Sequence, residues 1–124
     1  MPLGRKEWAT AEGFIPGESL AGADRPLLSH EACCILNPGD AAAHIEIMLY
    51  FVDRDPVGPY RLNVAAGRTN HLRFNELENP AVPLDTDFAS VIRSDVPIIV
   101  QHTRLDSRRA NFSLMTTMAF PGDP

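Results

Sequence analysis

Apolar and polar residues alternate with a period of two through much of the chain, and no apolar stripe of helical period persists between its turn residues. In Tyr60–Val64, Tyr60, Leu62 and Val64 fall on one face, with Arg61 and Asn63 on the other. Asn70–Phe74 alternates in the same way, setting Leu72 and Phe74 against His71 and Arg73. The same pattern predicts strands over Trp8–Phe14, Glu31–Asn37, His44–Val52, Phe88–Arg93, Val96–Thr103 and Ser113–Phe120. Eleven prolines and eight glycines punctuate these segments, with turn chemistry at Asn37–Asp40, Asp55–Pro59, Ala66-Gly67 and Ser94-Asp95. One helical turn is expected at Glu76-Leu77, a long loop over 15–28 and a short tail over 121–124. Short strands at this spacing predict an all-β chain, an antiparallel β-sandwich or barrel forming a single domain over 1–124.

Two strands depart from the alternation. Met48–Val52 and Val96–Val100 are apolar on both faces, whereas a two-layer sandwich buries only one face of each sheet. A partner subunit is the economical cover for the other face, and the chain's own loops are the alternative. A homo-oligomer is therefore expected. Pro97, which has no N–H to donate, is expected at an edge or near a strand start.

Composition sharpens this picture. The chain has 124 residues, 44% of them hydrophobic, and a formal net charge of −5. About two-thirds of its surface would be buried on folding, enough for one real core. The longest apolar run, Ile47–Val52, is far too short for a spanning helix, and no apolar stretch follows the charged first residues as a secretory leader would require. A cytoplasmic protein is expected. All but Lys6 of the eleven basic residues are arginines, dispersed except for Arg104, Arg108 and Arg109. Without a basic stripe, nucleic-acid binding is expected to be weak and salt-sensitive, unless an oligomer gathers Arg68, Arg73 and Arg108 from several subunits. Cys33 and Cys34 are adjacent, so they read as free thiols.

Enzyme signatures are missing: there is no G-x-S-x-G elbow, no G-x-G-x-x-G, no phosphate-binding loop and no H-E-x-x-H. The four histidines, His30, His44, His71 and His102, have no metal-ligand spacing, so no metal or cofactor is expected. Asp85 and Asp87 suit paired carboxylates or, more simply, turn contacts. The densest polar cluster, Gln101–Arg108, follows an apolar strand and emerges at the sheet rim, where its donors and acceptors suit hydroxyls or a carboxylate. An Arg104–Asp106 ion pair is the structural alternative. Trp8 and Glu12, placed on one strand face, suit a sugar-holding plate or plain core.

The segments Trp8–Pro16, Ser29–Glu31, Pro56–Leu62, His71–Asn75, Asp85–Ile92 and Val100–Arg108 together resemble the sensory rhodopsin transducer family, in order and with small length changes. The resemblance covers Trp8 to about Arg108; Gly17–Arg25 and the tail beyond Ala110 fall outside it. It implies a small, jelly-roll-like β-sandwich without enzyme activity. It also implies homotetramers, a membrane-embedded sensory rhodopsin as partner, and a small polar, sugar-like ligand. DNA-binding regulation, or catalysis on a sugar derivative by Asp87, His102 or Glu12, are the alternatives. Trp8, Glu12, His30, Glu31, His71, Arg73, Asp87, His102, Arg104 and Asp106 are expected to line one polar concavity, with a bulge at Arg73 needed to bring it beside His71. A closed ion-pair network without room for a guest is the competing arrangement.

Overall fold

The computed structural model describes residues 3–124. Among the described residues eight strands form: β1 Arg5–Thr10, β2 His30–Asn37, β3 Ala43–Phe51, β4 Val57–Val64, β5 Arg68–Arg73, β6 Phe88–Asp106, β7 Ser113–Met118 and β8 Phe120–Pro121. Short 3-10 turns occupy Arg25–Leu27, within the expected long loop, and Phe74–Glu76, overlapping the expected helical turn. The long strand β6 belongs to two layers. Its first half pairs with β3 and β1 in the order β4-β3-β6-β1-β8, and its second half pairs with β2 and β7 in the order β5-β2-β6-β7. All pairings are antiparallel. One apolar cluster joins Ile45, Ile47, Leu49 and Ile92 of the first layer to Cys33, Ile35 and Val100 of the second. The expected antiparallel β-sandwich is the fold.

Ser94-Asp95 is not a turn. The strand runs through it because both side chains are accommodated: Ser94 is buried, and the Asp95 carboxylate accepts the His44 backbone N–H at 2.8 Å and pairs with the His44 ring at 2.7 Å. Pro97 therefore lies inside a strand rather than at its start. Ladder pairing with β3 ends at Ser94 and pairing with β2 begins at Ile99, while the β1 ladder is interrupted between Arg93 and Ile98. The proline falls in the gap, where its missing N–H deprives no ladder of a bond.

β1 ends at Thr10, so Glu12 lies beyond it rather than on its face with Trp8. The expected tail is tied down: Pro121 pairs with Trp8, and the Gly122 N–H donates to the Glu7 carbonyl at 2.7 Å. The loop after β1 is pinned where it begins. Ile15 is fully buried, its carbonyl accepts the Asp85 N–H, and the Asp85 carboxylate accepts the Gly17 N–H, both at 2.8 Å.

The outer face of the first layer carries a row of alternating charges across four strands. Arg61, Glu46, Arg93 and Glu7 stand directly opposite one another, with Arg61–Glu46 at 3.2 Å and Arg93–Glu7 at 2.7 Å. Farther along the same face Met48 is half-buried and Tyr50 exposed, and on the other layer Ile99 and Leu36 sit opposite each other with Leu36 exposed. The chain's own loops leave these outward apolar side chains partly open. No helix among the described residues is long and apolar enough to cross a membrane.

Candidate functional site

In the register of β2 and β6, Ile35 faces Val100, Cys33 faces His102 and Glu31 faces Arg104. The inward row thus passes from hydrocarbon to charge within two steps along each strand. Glu31 is 0% exposed and His102 3%. Burying a carboxylate is tolerable only when its lone pairs are taken up, and here they are. One carboxylate oxygen of Glu31 accepts the Phe14 N–H at 2.7 Å and Arg104 Nε at 2.6 Å, and the other bonds His102 Nε2. Arg104 also reaches Glu12 at 2.9 Å. The Glu31 backbone N–H donates to Asn75, whose amide in turn donates to the Ser29 carbonyl. Every buried side-chain nitrogen and oxygen among the described residues has a partner. Four of the expected concavity residues, Glu12, Glu31, His102 and Arg104, therefore come together as a closed network with its inner members shut from solvent.

The remaining candidates separate. Trp8 is a core residue, 5% exposed, its indole N–H shared between the carbonyls of Arg5 and Ile98 at 3.0 Å each. Asp87 is exposed beside Glu12 and Tyr50, in a shallow cleft of about 230 Å³. Asp106 pairs with Arg108 at 2.6 Å, not with Arg104, and that bond holds its carboxyl below the usual carboxylate range. Asp106 and Arg108 line a separate hollow of about 380 Å³ with Glu18, Arg109 and Asn111. The single concavity expected from the sequence is not formed.

His30, His71 and Arg73 do share a site, on the outer face of the β5-β2-β6-β7 layer. They line a hollow of about 540 Å³ with Arg25, Ala32, Cys34, Gln101, Thr103, Leu114 and Thr116. No bulge is needed to bring His71 and Arg73 together. β5 keeps an unbroken register against β2, with His71 opposite Cys34 and Arg73 opposite Ala32, and residues two apart share a face. Gln101 lies opposite Cys34, Thr103 opposite Ala32, and Thr116 opposite Thr103, so four strands contribute to one surface. Gln101 and Thr103 were legible as outward positions of β6; Cys34 and Thr116 reach the site only through the pairing of distant strands, and Arg25 through the 3-10 turn that Arg73 and Glu76 hold against it.

The hollow combines basic and neutral polar side chains with the apolar surface of Ala32 and Leu114. His30 Nδ1 donates to the Leu28 carbonyl at 2.7 Å, and burial, opposed by that bond and aided by Arg73 and Arg25, pulls its pKa below the usual histidine value. A neutral His30 has Nε2 left as an acceptor. Burial, and then the charge of Arg25, pull the Arg73 guanidinium below its ordinary pKa as well. Its Nη1 donates to the Arg25 carbonyl at 2.8 Å. Among the described residues, no three His, Cys, Asp or Glu side chains gather as metal ligands.

The two thiols are chemically distinct. Burial pushes the Cys33 thiol up to about 12, whereas Cys34 opens partly into the hollow. Only thiolates react with disulfide reagents. A colorimetric thiol assay on the native protein is therefore expected to modify Cys34 alone, Cys33 reacting only after denaturant is added. Equal native rates for both would contradict the burial.

The pattern of the family described as Anabaena sensory rhodopsin transducer matches residues 3–121 of this chain, a span that contains the six segments carrying the resemblance. The crystal structure of Thermotoga maritima 1070 is similar to it with a TM-score of 0.86 and 31% identity, covering 96% of each chain. A solved structure described as Anabaena sensory rhodopsin transducer is similar with a TM-score of 0.74 and 56% identity, covering 83% of this chain and 99% of that one. No curated protein matches.

Proposed function

This chain belongs to the Anabaena sensory rhodopsin transducer family, and from that premise we propose that it is a soluble cytoplasmic signalling protein, not an enzyme. In this reading it works as a homotetramer that binds a small polar molecule and acts as partner to a membrane-embedded photosensory rhodopsin. The observation that carries the binding half is the hollow on the β5-β2-β6-β7 layer, floored by four strands that each contribute hydrogen-bonding side chains and edged by Arg25 of the 3-10 turn. Rigid walls of this kind hold donors and acceptors in place without an ordering cost on binding. Family membership supports the rhodopsin partnership.

Thermal-shift screening against hydroxylated metabolites tests the binding half. A ligand at a hundred times its Kd should add about 2.7 kcal/mol of stability. Thr103→Trp, which fills the hollow from β6, should abolish that gain without unfolding the chain. A gain that survives Thr103→Trp places the ligand elsewhere and ends this reading. Co-purification with a rhodopsin from the same host tests the other half.

The tetramer is supported by the outward apolar side chains Tyr50, Leu36 and Ile99, which the chain leaves partly open. Multi-angle light scattering should return a four-subunit mass at micromolar concentration. Tyr50→Asp or Ile99→Asp should lower that mass, because an unpaired charge buried in a contact costs several kcal/mol. A single-subunit mass for the unaltered protein would remove the oligomer.

A further inference from the structure

The hollow's charge is out of keeping with the rest of the chain. The protein carries a net charge of −5, yet the lining holds Arg25, Arg73, His30 and His71 and no Asp or Glu. On the opposite layer, outward arginines are neutralised strand by strand, Arg61 by Glu46 and Arg93 by Glu7. Arg25 has Glu76 at 2.5 Å, outside the lining. Arg73 differs: among the described residues it makes no ion pair of its own, its hydrogen bond goes to a neutral carbonyl, and the one carboxylate that acts on its charge, Glu76, is already paired with Arg25. It is partly buried, so water compensates its charge incompletely. A planar guanidinium with free donors, lining a concave surface, is suited to bidentate capture of an oxyanion. Gln101, Thr103 and Thr116 supply neutral donors and acceptors around it. A cation would meet like charge here, and an apolar guest would strip water from Arg73 without replacing it.

We infer that this hollow recognises a small hydroxylated anion, its carboxylate or phosphate held by Arg73 and its hydroxyls by Gln101, Thr103 and Thr116. The inference rests on the reading of the hollow as a small-molecule site and adds the chemical class of the guest.

The test titrates the full chain with glucose, glucuronate, glucose 6-phosphate and inorganic phosphate, by calorimetry and by the rate at which Cys34 reacts with a thiol reagent. Cys34 lies in the lining, so an occupied hollow should slow it. Glucuronate or glucose 6-phosphate should bind about tenfold to a hundredfold more tightly than glucose, the range a charge-assisted hydrogen bond supplies. The tighter of the two identifies carboxylate or phosphate as the group held. Arg73→Gln should reduce the anion to the affinity of glucose, while Arg61→Gln on the opposite layer leaves it unchanged. Should Arg73→Gln fail to fold, added NaCl serves on the unaltered protein, weakening the anion but not glucose. Glucose binding as tightly as either anion, with equal protection of Cys34, would keep the hollow as a binding site and discard charge recognition. Protection by none of the four probes, or by duplex DNA alone, would overturn the inference, the latter in favour of a phosphate-backbone contact.

Discussion

Replacing Glu31 by alanine is expected to destabilise the protein by about 3–5 kcal/mol, the cost of removing one partner from a buried ion pair. The change would leave the buried His102, and the partly buried Arg104 Nε and Phe14 N–H, without their acceptor. For a chain of this length the melting temperature should fall by on the order of 10–20 °C. Glu31→Gln should cost less, since an amide oxygen still accepts from Phe14 and Arg104. Glu12→Ala, which removes only the exposed end of the network, should cost no more than about 1 kcal/mol. Denaturant unfolding of the three variants orders these effects. A loss for Glu31→Ala no larger than for Glu12→Ala would mean that the carboxylate is solvated and the network open.

The second large effect is at Trp8. Trp8 stands on β1 between Ile92 of β6 and Pro121 of β8, its indole is buried in the apolar core, and its N–H is shared between two carbonyls. Trp8→Ala should cost about 3–5 kcal/mol through the cavity it opens. Trp8→Phe keeps most of the ring but leaves the Ile98 carbonyl without this donor, at a cost of about 1–3 kcal/mol. As the chain's one tryptophan, Trp8 should give a blue-shifted native emission that moves red on unfolding and is insensitive to glucose 6-phosphate. A sugar that quenched it in the folded state would restore the aromatic plate that the sequence suggests. The core position argues against one.

The strands were legible because their signal is local. Tyr60, Leu62 and Val64 alternate with Arg61 and Asn63, and the fold buries Tyr60 and Val64 while exposing Arg61 and Asn63. Asn37–Asp40 and Ala66-Gly67 mark turns, and the Asn37 side chain shows why: its amide donates to the carbonyls of Ala41 and Val64 while its oxygen accepts the Gly39 N–H. Ser94-Asp95 misled because the same residue types also satisfy themselves inside a strand when a neighbour such as His44 stands opposite. The candidate site was legible only in pieces. His30, His71 and Arg73 were among the expected ligand-binding residues, but nothing nearby in sequence distinguished them from Trp8, Glu31 and His102, which face inward.

Residue order alone determined the all-β class, most strand positions and the two outward apolar stretches, since each follows from the period-two alternation of neighbouring side chains. The tertiary structure decided which face of each strand is inner, and hence which polar residues meet. β6 pairs with β3 and β1 along one half and with β2 and β7 along the other, and that choice sends Glu31 and His102 into the interior and His71, Arg73 and Gln101 onto a common outer surface. Glu31 and Arg104 are separated by 73 positions in the chain. Contacts at that separation are set by strand register, which depends on packing the whole sandwich, and no local pattern in the sequence encodes them.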